Sequence, residues 1–473
     1  KILNGSIANL PGFTGEGSNA FAISSKKSTT GEPMLVINAH QPIEGATAFY
    51  EAHLQSEEGW NMLGGLFPGA PLIFHGASPN LAWAHTVNMQ DKVDVFQLQT
   101  DKKHPGQYLV DGEWLTLEKR KVKLHIKGIP FPVSKMAYKS IYGPTVANPK
   151  GEFFSMRLPS LMDAMALQQW YFMNKAKNWS EFKSALEQNH LAMFNIIYAD
   201  KQDNIFYVSN GKMPYRNPDP KYHWNSTLPG NTRATLWDKF KPFNELPQHL
   251  NPASGYLFNT NHSPFLATAE NENLNPANYD KNDGYETYHN NRSRRAKDLI
   301  DSYSKISFED LKKIKFDRQL PKQILYPYGY SSDSLFMVDE SKYPSLAPLI
   351  TSLKNWDHVT NPDSKGALVY NLAYSQISKA MKGNAQNTLN QAVYGLNDSK
   401  LQIMQMIGQL LVNPSAVGTA IAIKGPMGTG KTTLIKDGIS KILGRDFAFI
   451  ALGGATDSSF LEGHSYTYEG SLW

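Results

Sequence analysis

Gly17-Ser18-Asn19-Ala20-Phe21-Ala22-Ile23-Ser24-Ser25 decides how the rest of this chain is read. Ala20, Ala22 and Ser24 fall on one side of an extended segment and Phe21 and Ile23 on the other, the two-residue period of a strand. Thr29-Thr30-Gly31 signals a turn and Met34-Leu35-Val36-Ile37 reads as a buried strand, so a hairpin opens at Ser18. A serine at the mouth of a strand is by itself ordinary. Its weight comes from the residues downstream of it. His40 closes the second strand, in Asn38-Ala39-His40-Gln41-Pro42. Leu81-Ala82-Trp83-Ala84-His85-Thr86-Val87-Asn88 comes next, then Asp91-Lys92-Val93-Asp94, and much later Asn259-Thr260-Asn261-His262.

Outward from that hairpin, residues up to about 380 share one style, rich in Tyr, Trp, Asn and Pro, with short alternating strands and many turns. A second hairpin is expected over 194–208, turning at Asp200 to Asn204, and helix is expected over 161–189, where Met165, Leu167, Trp170, Phe172 and Met173 are helically spaced. The chain has 473 residues, enough for about three domains of roughly 150 residues. With 41% hydrophobic and 19% charged residues it can bury a large core, which argues against disorder. The formal charge of +5 is no polybasic footprint, so nucleic acid is not expected as a partner, and no membrane is expected as one either. No run of 18 apolar residues suggests a membrane span. Zero cysteines exclude disulfides, thiolate catalysis and cysteine-ligated metals. The chain starts at Lys1 rather than Met and is read as a fragment.

The serine, histidine, valine and asparagine elements, in this order and at this spacing, resemble the penicillin acylase family of N-terminal-nucleophile hydrolases, which includes acyl-homoserine lactone acylases. The resemblance implies a four-layer αββα fold of the α+β class over residues 18–380, incomplete at its ends, with residues 1–17 as the remnant of a first chain. It implies self-cleavage before Ser18, so that one residue supplies a nucleophilic hydroxyl and an α-amine whose ordinary pKa is about 7.7–8.0. It places the Val87 N–H and the Asn261 side chain at the oxyanion hole, His40 on the nucleophile, and Arg292 behind Asn261. Asp91, Val93 and Asp94 match a calcium-binding segment, although calcium takes six to eight oxygens and no further ligands are legible. The implied substrate is a small linear N-acyl amide, such as an acyl-homoserine lactone or a penicillin-type amide. A first chain is the implied partner, and the implied location is periplasmic or extracellular.

The last segment differs. A helical stripe through Leu401, Met404, Ile407 and Leu410 precedes a strand, Thr419–Ile423, and Gly425-Pro426-Met427-Gly428-Thr429-Gly430-Lys431-Thr432 fits GxxxxGK[ST] in full. In such a loop Gly425, Gly428 and Gly430 let the backbone cradle phosphate, Lys431 reaches the β/γ-phosphates and Thr432 holds Mg²⁺, so ATP with magnesium is the expected ligand. Residues 391–473 resemble the ATPase domain of the Lon proteases, and they stop before any acidic metal-binding strand. The expected organisation is therefore an acylase-like domain, a junction over 381–397, and a partial α/β P-loop segment over 398–473. The first function expected is amide hydrolysis through Ser18. The alternative is an ATP-binding module carrying an inactive acylase remnant.

Overall fold

In the computed structural model, β1 (Ser18–Ile23) is the middle strand of a three-stranded antiparallel sheet, between β2 (Met34–Ala39) and β18 (Tyr256–Asn259). The structure describes residues 17–42, 44–45, 47–325, 332–380 and 431–439. They divide into two bodies, one of residues 1–325 with 356–367 and one of residues 326–355 with 368–473.

The expected alternation along β1 is what builds the first body. Ala20 and Ala22 pack with Ala84, Ile197, Tyr207 and Leu257, while Phe21 and Ile23 pack with Ala296, Ile300, Leu311 and Ile314. The small residues face a second sheet, whose order is β17 (Gln248–Leu250), β15 (Ile205–Val208), β14 (Asn195–Asp200), β6 (Leu81–Thr86), β5 (His75–Ala77), β4 (Trp60–Leu66) and β3 (Tyr50–Ser56). The large residues face helices α3 (Asn291–Ser302) and α4 (Phe308–Phe316). On its far side the second sheet buries Trp83, Ile196, Tyr198 and Phe206 against Met173 of α1 (Ala166–Lys175) and Phe182 and Leu186 of α2 (Trp179–Glu187). The layers are therefore helix, sheet, sheet, helix.

Two local readings change. The helix expected over 161–189 is two helices, because Asn178 caps α2: its Oδ1 accepts the Glu181 N–H at 3.0 Å, and Glu181 accepts the Lys177 N–H at 2.9 Å. β2 is an edge strand with only Val36 buried, yet both of its faces are partly covered: Met34 and Val36 pack toward the helices, Leu35 and Ile37 toward the second sheet. The hairpin over 194–208 forms as β14 and β15, every residue of both strands buried.

A third, mixed sheet has the order β10 (Glu118–Leu124), β11 (Val133–Ser140), β12 (Gly143–Ala147), β13 (Phe153–Arg157), β7 (Asp94–Leu98) and β16 (Thr227–Gly230), with β16 parallel to β7. With the ribbon β8 (Gln107–Val110) and β9 (Glu113–Thr116), it encloses its own core of Phe96, Tyr108, Tyr142, Trp224 and Trp237.

The second body contains α5 (Asp333–Phe336), α6 (Ala347–Lys354) and most of α7 (Lys365–Ala380), with Phe336 stacked on Tyr370 at 6.0 Å. Lys431–Thr433 form a helical turn, α8, continued by a π-type turn over Leu434–Ile439. The junction at 381–397, Gly425, Gly428 and Gly430, and the expected strands around them lie outside the described residues.

Candidate active site

Ser18 enters β1 opposite Ala39, and its neighbour Gly17 lies opposite His40, whose N–H donates to Gly17 O at 2.9 Å. The Ser18 hydroxyl donates to Gly17 O at 2.7 Å. The Ser18 N–H donates to Asn261 Oδ1 at 2.5 Å. A Cβ at residue 17 would lie 2.7 Å from Arg292 Nη2 and 2.9 Å from Asn261 Oδ1, so a side chain there would have to displace both groups.

Asn261 follows β18 in the left-handed region (φ 60°), which asparagine tolerates better than most residues. Its backbone N–H donates to Asn259 Oδ1 at 2.8 Å, and its carbonyl accepts from Asn290 Nδ2 at 3.0 Å. Its side-chain amide is oriented from both ends. Oδ1 accepts from Ser18 N and from Arg292 Nη2 at 2.9 Å, while Nδ2 donates to Val87 O at 2.8 Å. An amide nitrogen carries two protons, so one donor remains beyond the Val87 contact. Arg292, in the first turn of α3, also donates through Nη1 to Ser18 O at 3.0 Å and to Asn19 Oδ1 at 2.6 Å. Burial lowers its pKa to about 10, so it stays cationic at neutral pH. The structure thus brings Ser18, Val87, Asn261 and Arg292 together around the Asn261 side chain.

His40 does not meet the Ser18 hydroxyl here. Residues directly opposite in an antiparallel pair point to the same face, so His40 shares a face with Gly17 and Asn19, whereas Ser18 points with Ala20 toward the second sheet. Its Nε2 lies 3.4 Å from Asn19 Nδ2 instead. Burial and the Arg292 charge both lower the His40 pKa, which favours the neutral ring.

Several positioning residues escaped the sequence reading. Asn259 Oδ1 accepts from Thr86 Oγ1 at 2.6 Å and Asn195 Nδ2 at 3.3 Å, and Tyr207 donates to Asn195 Oδ1 at 3.0 Å. This buried network ties the two sheets beneath Asn261. Behind Val87, Lys92 Nζ donates to Asn88 Oδ1 at 3.0 Å and Gln90 Oε1 at 2.7 Å, and burial lowers its pKa to about 7. Only Asn19 had a local signal, its place beside the serine.

The residues proposed for calcium do not fit the ion as arranged. Asp94 is fully buried at the start of β7, where Oδ2 accepts from Arg216 Nε at 3.0 Å and Trp237 Nε1 at 2.7 Å. The same guanidinium lies 3.6 Å from Asp91 Oδ1. Asp94 Oδ1 has no partner among the described residues, yet no group of three or more His, Asp or Glu there is disposed to hold a metal. Val93 lies between the two aspartates. A fixed cation stands beside both carboxylates, which works against a divalent one.

A four-layer αββα body with a serine at the head of a central strand, its backbone held by an asparagine and an arginine, is the N-terminal-nucleophile hydrolase class of fold. Residues 4–430 match the penicillin amidase family, and the chain belongs to that family. It is 29% identical over 401 residues to an acyl-homoserine lactone acylase PvdQ of Pseudomonas fluorescens (strain Pf0-1), covering 78% of this chain and 50% of that protein. It is 30% identical over 203 residues to penicillin G acylase of Escherichia coli, covering 42% of this chain and 23% of that protein. Among solved structures, a thermostable penicillin G acylase from Alcaligenes faecalis superposes with a TM-score of 0.59 at 18% identity, over 90% of this chain and 79% of that one. The chain thus spans about half the length of the curated acyl-homoserine lactone acylase. The family match ends at residue 430, within the Gly-rich loop, and each of these relatives is an acylase by name.

Proposed function

We propose that the protein hydrolyses linear N-acyl amides by acyl transfer through Ser18, after cleaving its own chain between Gly17 and Ser18. One observation carries this reading: the Ser18 nitrogen sits 2.5 Å from an Asn261 oxygen that Arg292 also holds. Once the Gly17 peptide bond is cut, that nitrogen becomes a free amine in the same place. The nearby Arg292 charge disfavours its protonated form, which suits a base. The amine takes the proton of the Ser18 hydroxyl, the oxygen attacks the substrate carbonyl, and the proton passes to the leaving amine; water then hydrolyses the Ser18 ester. The second Asn261 Nδ2 proton and the Val87 N–H face the developing oxyanion, a role in which one donor is worth about 10²–10³ in rate. His40, beside Asn19, helps to hold the Asn19 side chain on which Arg292 rests, and so positions Arg292 rather than touching the Ser18 hydroxyl.

The acyl chain has an apolar place to go. Ile37, opposite Ala20, lines a cavity of about 420 Å³ with Phe49, Leu63 and His75. Behind it, Phe74 packs against Phe49, Phe67, His85, Trp170 and Phe194. This favours a fatty or aromatic acyl group, as in acyl-homoserine lactones or penicillin-type amides. The first chain of the acylase is proposed as a partner, and a periplasmic or extracellular location goes with this reading; among the described residues no helix is long and apolar enough to cross a membrane.

Intact mass, N-terminal sequencing and acid release from an N-acyl homoserine lactone test the proposal together. A chain starting at Ser18 and release of the free acid are expected. Activity in a chain uncut at residue 17 would overturn the mechanism. ATP and magnesium binding at 425–432 keeps the sequence motif as its sole support, with Lys431 and Thr432 opening α8. Isothermal titration with Mg·ATP, for the wild type and Lys431→Ala, decides it.

A further inference from the structure

The hairpin of β10 and β11 concentrates the charge of the whole molecule. Between Glu118 and Lys139 stand seven lysine and arginine residues against a single acidic one, a local excess greater than the +5 of the entire chain. β10 is the outer strand of its sheet, and all of its residues but Val122 are exposed. Seven register pairs, from Glu118↔Lys139 to Leu124↔Val133, make a ribbon about 20 Å long. Lys119, Lys121 and Lys123 share one of its faces. Among the described residues, Lys139 alone of these cations has a carboxylate partner, Glu118 at 3.7 Å.

The end of the ribbon has the opposite character. Leu124, Ile126, Ile129 and Phe131 are all exposed, Phe131 by 67%. The tip closes through the Ile129 N–H on Ile126 O at 3.0 Å, with Gly128 at φ 88°, and Pro130 and Pro132 stiffen the return. Lysines on an edge strand ordinarily guard against aggregation. A guard would not end in four exposed apolar side chains.

We propose that this hairpin docks the protein on an anionic lipid bilayer, its apolar tip entering the acyl boundary and its cations resting on the headgroups. Cations flanking aliphatic and aromatic side chains are the pattern of interfacial binding, where buried apolar area adds to attraction by anionic lipid. Nucleic acid would match the charge but leave the tip without a partner. The inference is independent of the acylase chemistry.

Co-sedimentation with vesicles of phosphatidylcholine, alone or mixed with phosphatidylglycerol, tests it in the full chain. Binding to the mixed vesicles alone is expected. Lys121→Gln, Lys123→Gln and Lys135→Gln together should weaken it on the order of a hundredfold. A Phe131→Trp variant should shift its emission to the blue on these vesicles and be quenched by brominated lipid. Unchanged thermal melting of each variant keeps the comparison valid. Equal binding to both vesicle types, no binding at all, or binding untouched by the lysine changes overturns the proposal. So does a Phe131→Trp emission that stays water-exposed while DNA competes the protein off the vesicles.

Discussion

The Ser18 site and the β10–β11 ribbon treat cations in opposite ways. Arg292 places its two terminal nitrogens on three oxygens, from Ser18, Asn19 and Asn261. Arg216, likewise inside, is matched to Asp94 and Asp91. The lysines of the ribbon mostly stand in water. An enclosed cation must be matched because desolvating it is costly; an exposed one costs little and remains available to a partner. The first arrangement fixes geometry for chemistry, and the second keeps a surface ready for contact.

The sharpest way to break the comparison is at the nucleophile. Ser18→Ala should leave a single uncut chain with no amide hydrolysis, checked by gel, mass and acid release. Next comes the enclosed cation: Arg216→Ala leaves Asp94 buried and unpaired, and should cost about 3–5 kcal/mol in chemical denaturation. A loss below about 1 kcal/mol would mean that water reaches Asp94. Asn261→Ala should then lower kcat by on the order of 10²–10³ with a smaller change in KM, because its donor strengthens mainly in the transition state. A change confined to KM would make Asn261 a substrate-positioning group.

A pH series extends the contrast to groups that are neutral because they are enclosed. Burial lowers His75 and His249 to about 4 and His85 and His262 to about 3. The unfolded chain takes up protons near pH 6.5, before the folded one does. Stability is therefore full above that pH and falls as the pH drops toward 4, at up to about 1.4 kcal/mol per unit for each histidine. Tm between pH 6.5 and 5 measures this, and a flat profile would contradict it. The smallest effect belongs to the ribbon, where Lys121→Gln with Lys123→Gln should change stability by no more than about 0.5 kcal/mol. A larger change would show that the ribbon is packed.

Much of the site was legible because it is written in local order. The alternation of Ala20, Phe21, Ala22 and Ile23 marks the two faces of β1, and the Gly17-Ser18 pair and Asn261, singled out in the sequence, meet in the structure. The place of His40 was not, since it depends on register: a shift of one residue would have turned it toward the Ser18 hydroxyl. The ribbon was hidden differently. Its charges are in the sequence, but averaged over 473 residues they yield only +5.

Residue spacing alone determined the hairpin at Ser18 and the paired strands β14 and β15, while the order of the serine, histidine, valine and asparagine elements carried the resemblance to the family that the match over residues 4–430 then showed. Period-two patterns and motif order survive in one dimension. Only the tertiary structure decided that Arg292 and Val87 meet on opposite ends of the Asn261 side chain, that Asn259, Thr86, Asn195 and Tyr207 form one network, and that Arg216 stands beside Asp91 and Asp94. Those contacts join residues far apart in the chain, for example 174 positions between Val87 and Asn261. Hydrogen bonds of this kind depend on angstrom-scale approach between packed layers, which no local pattern encodes.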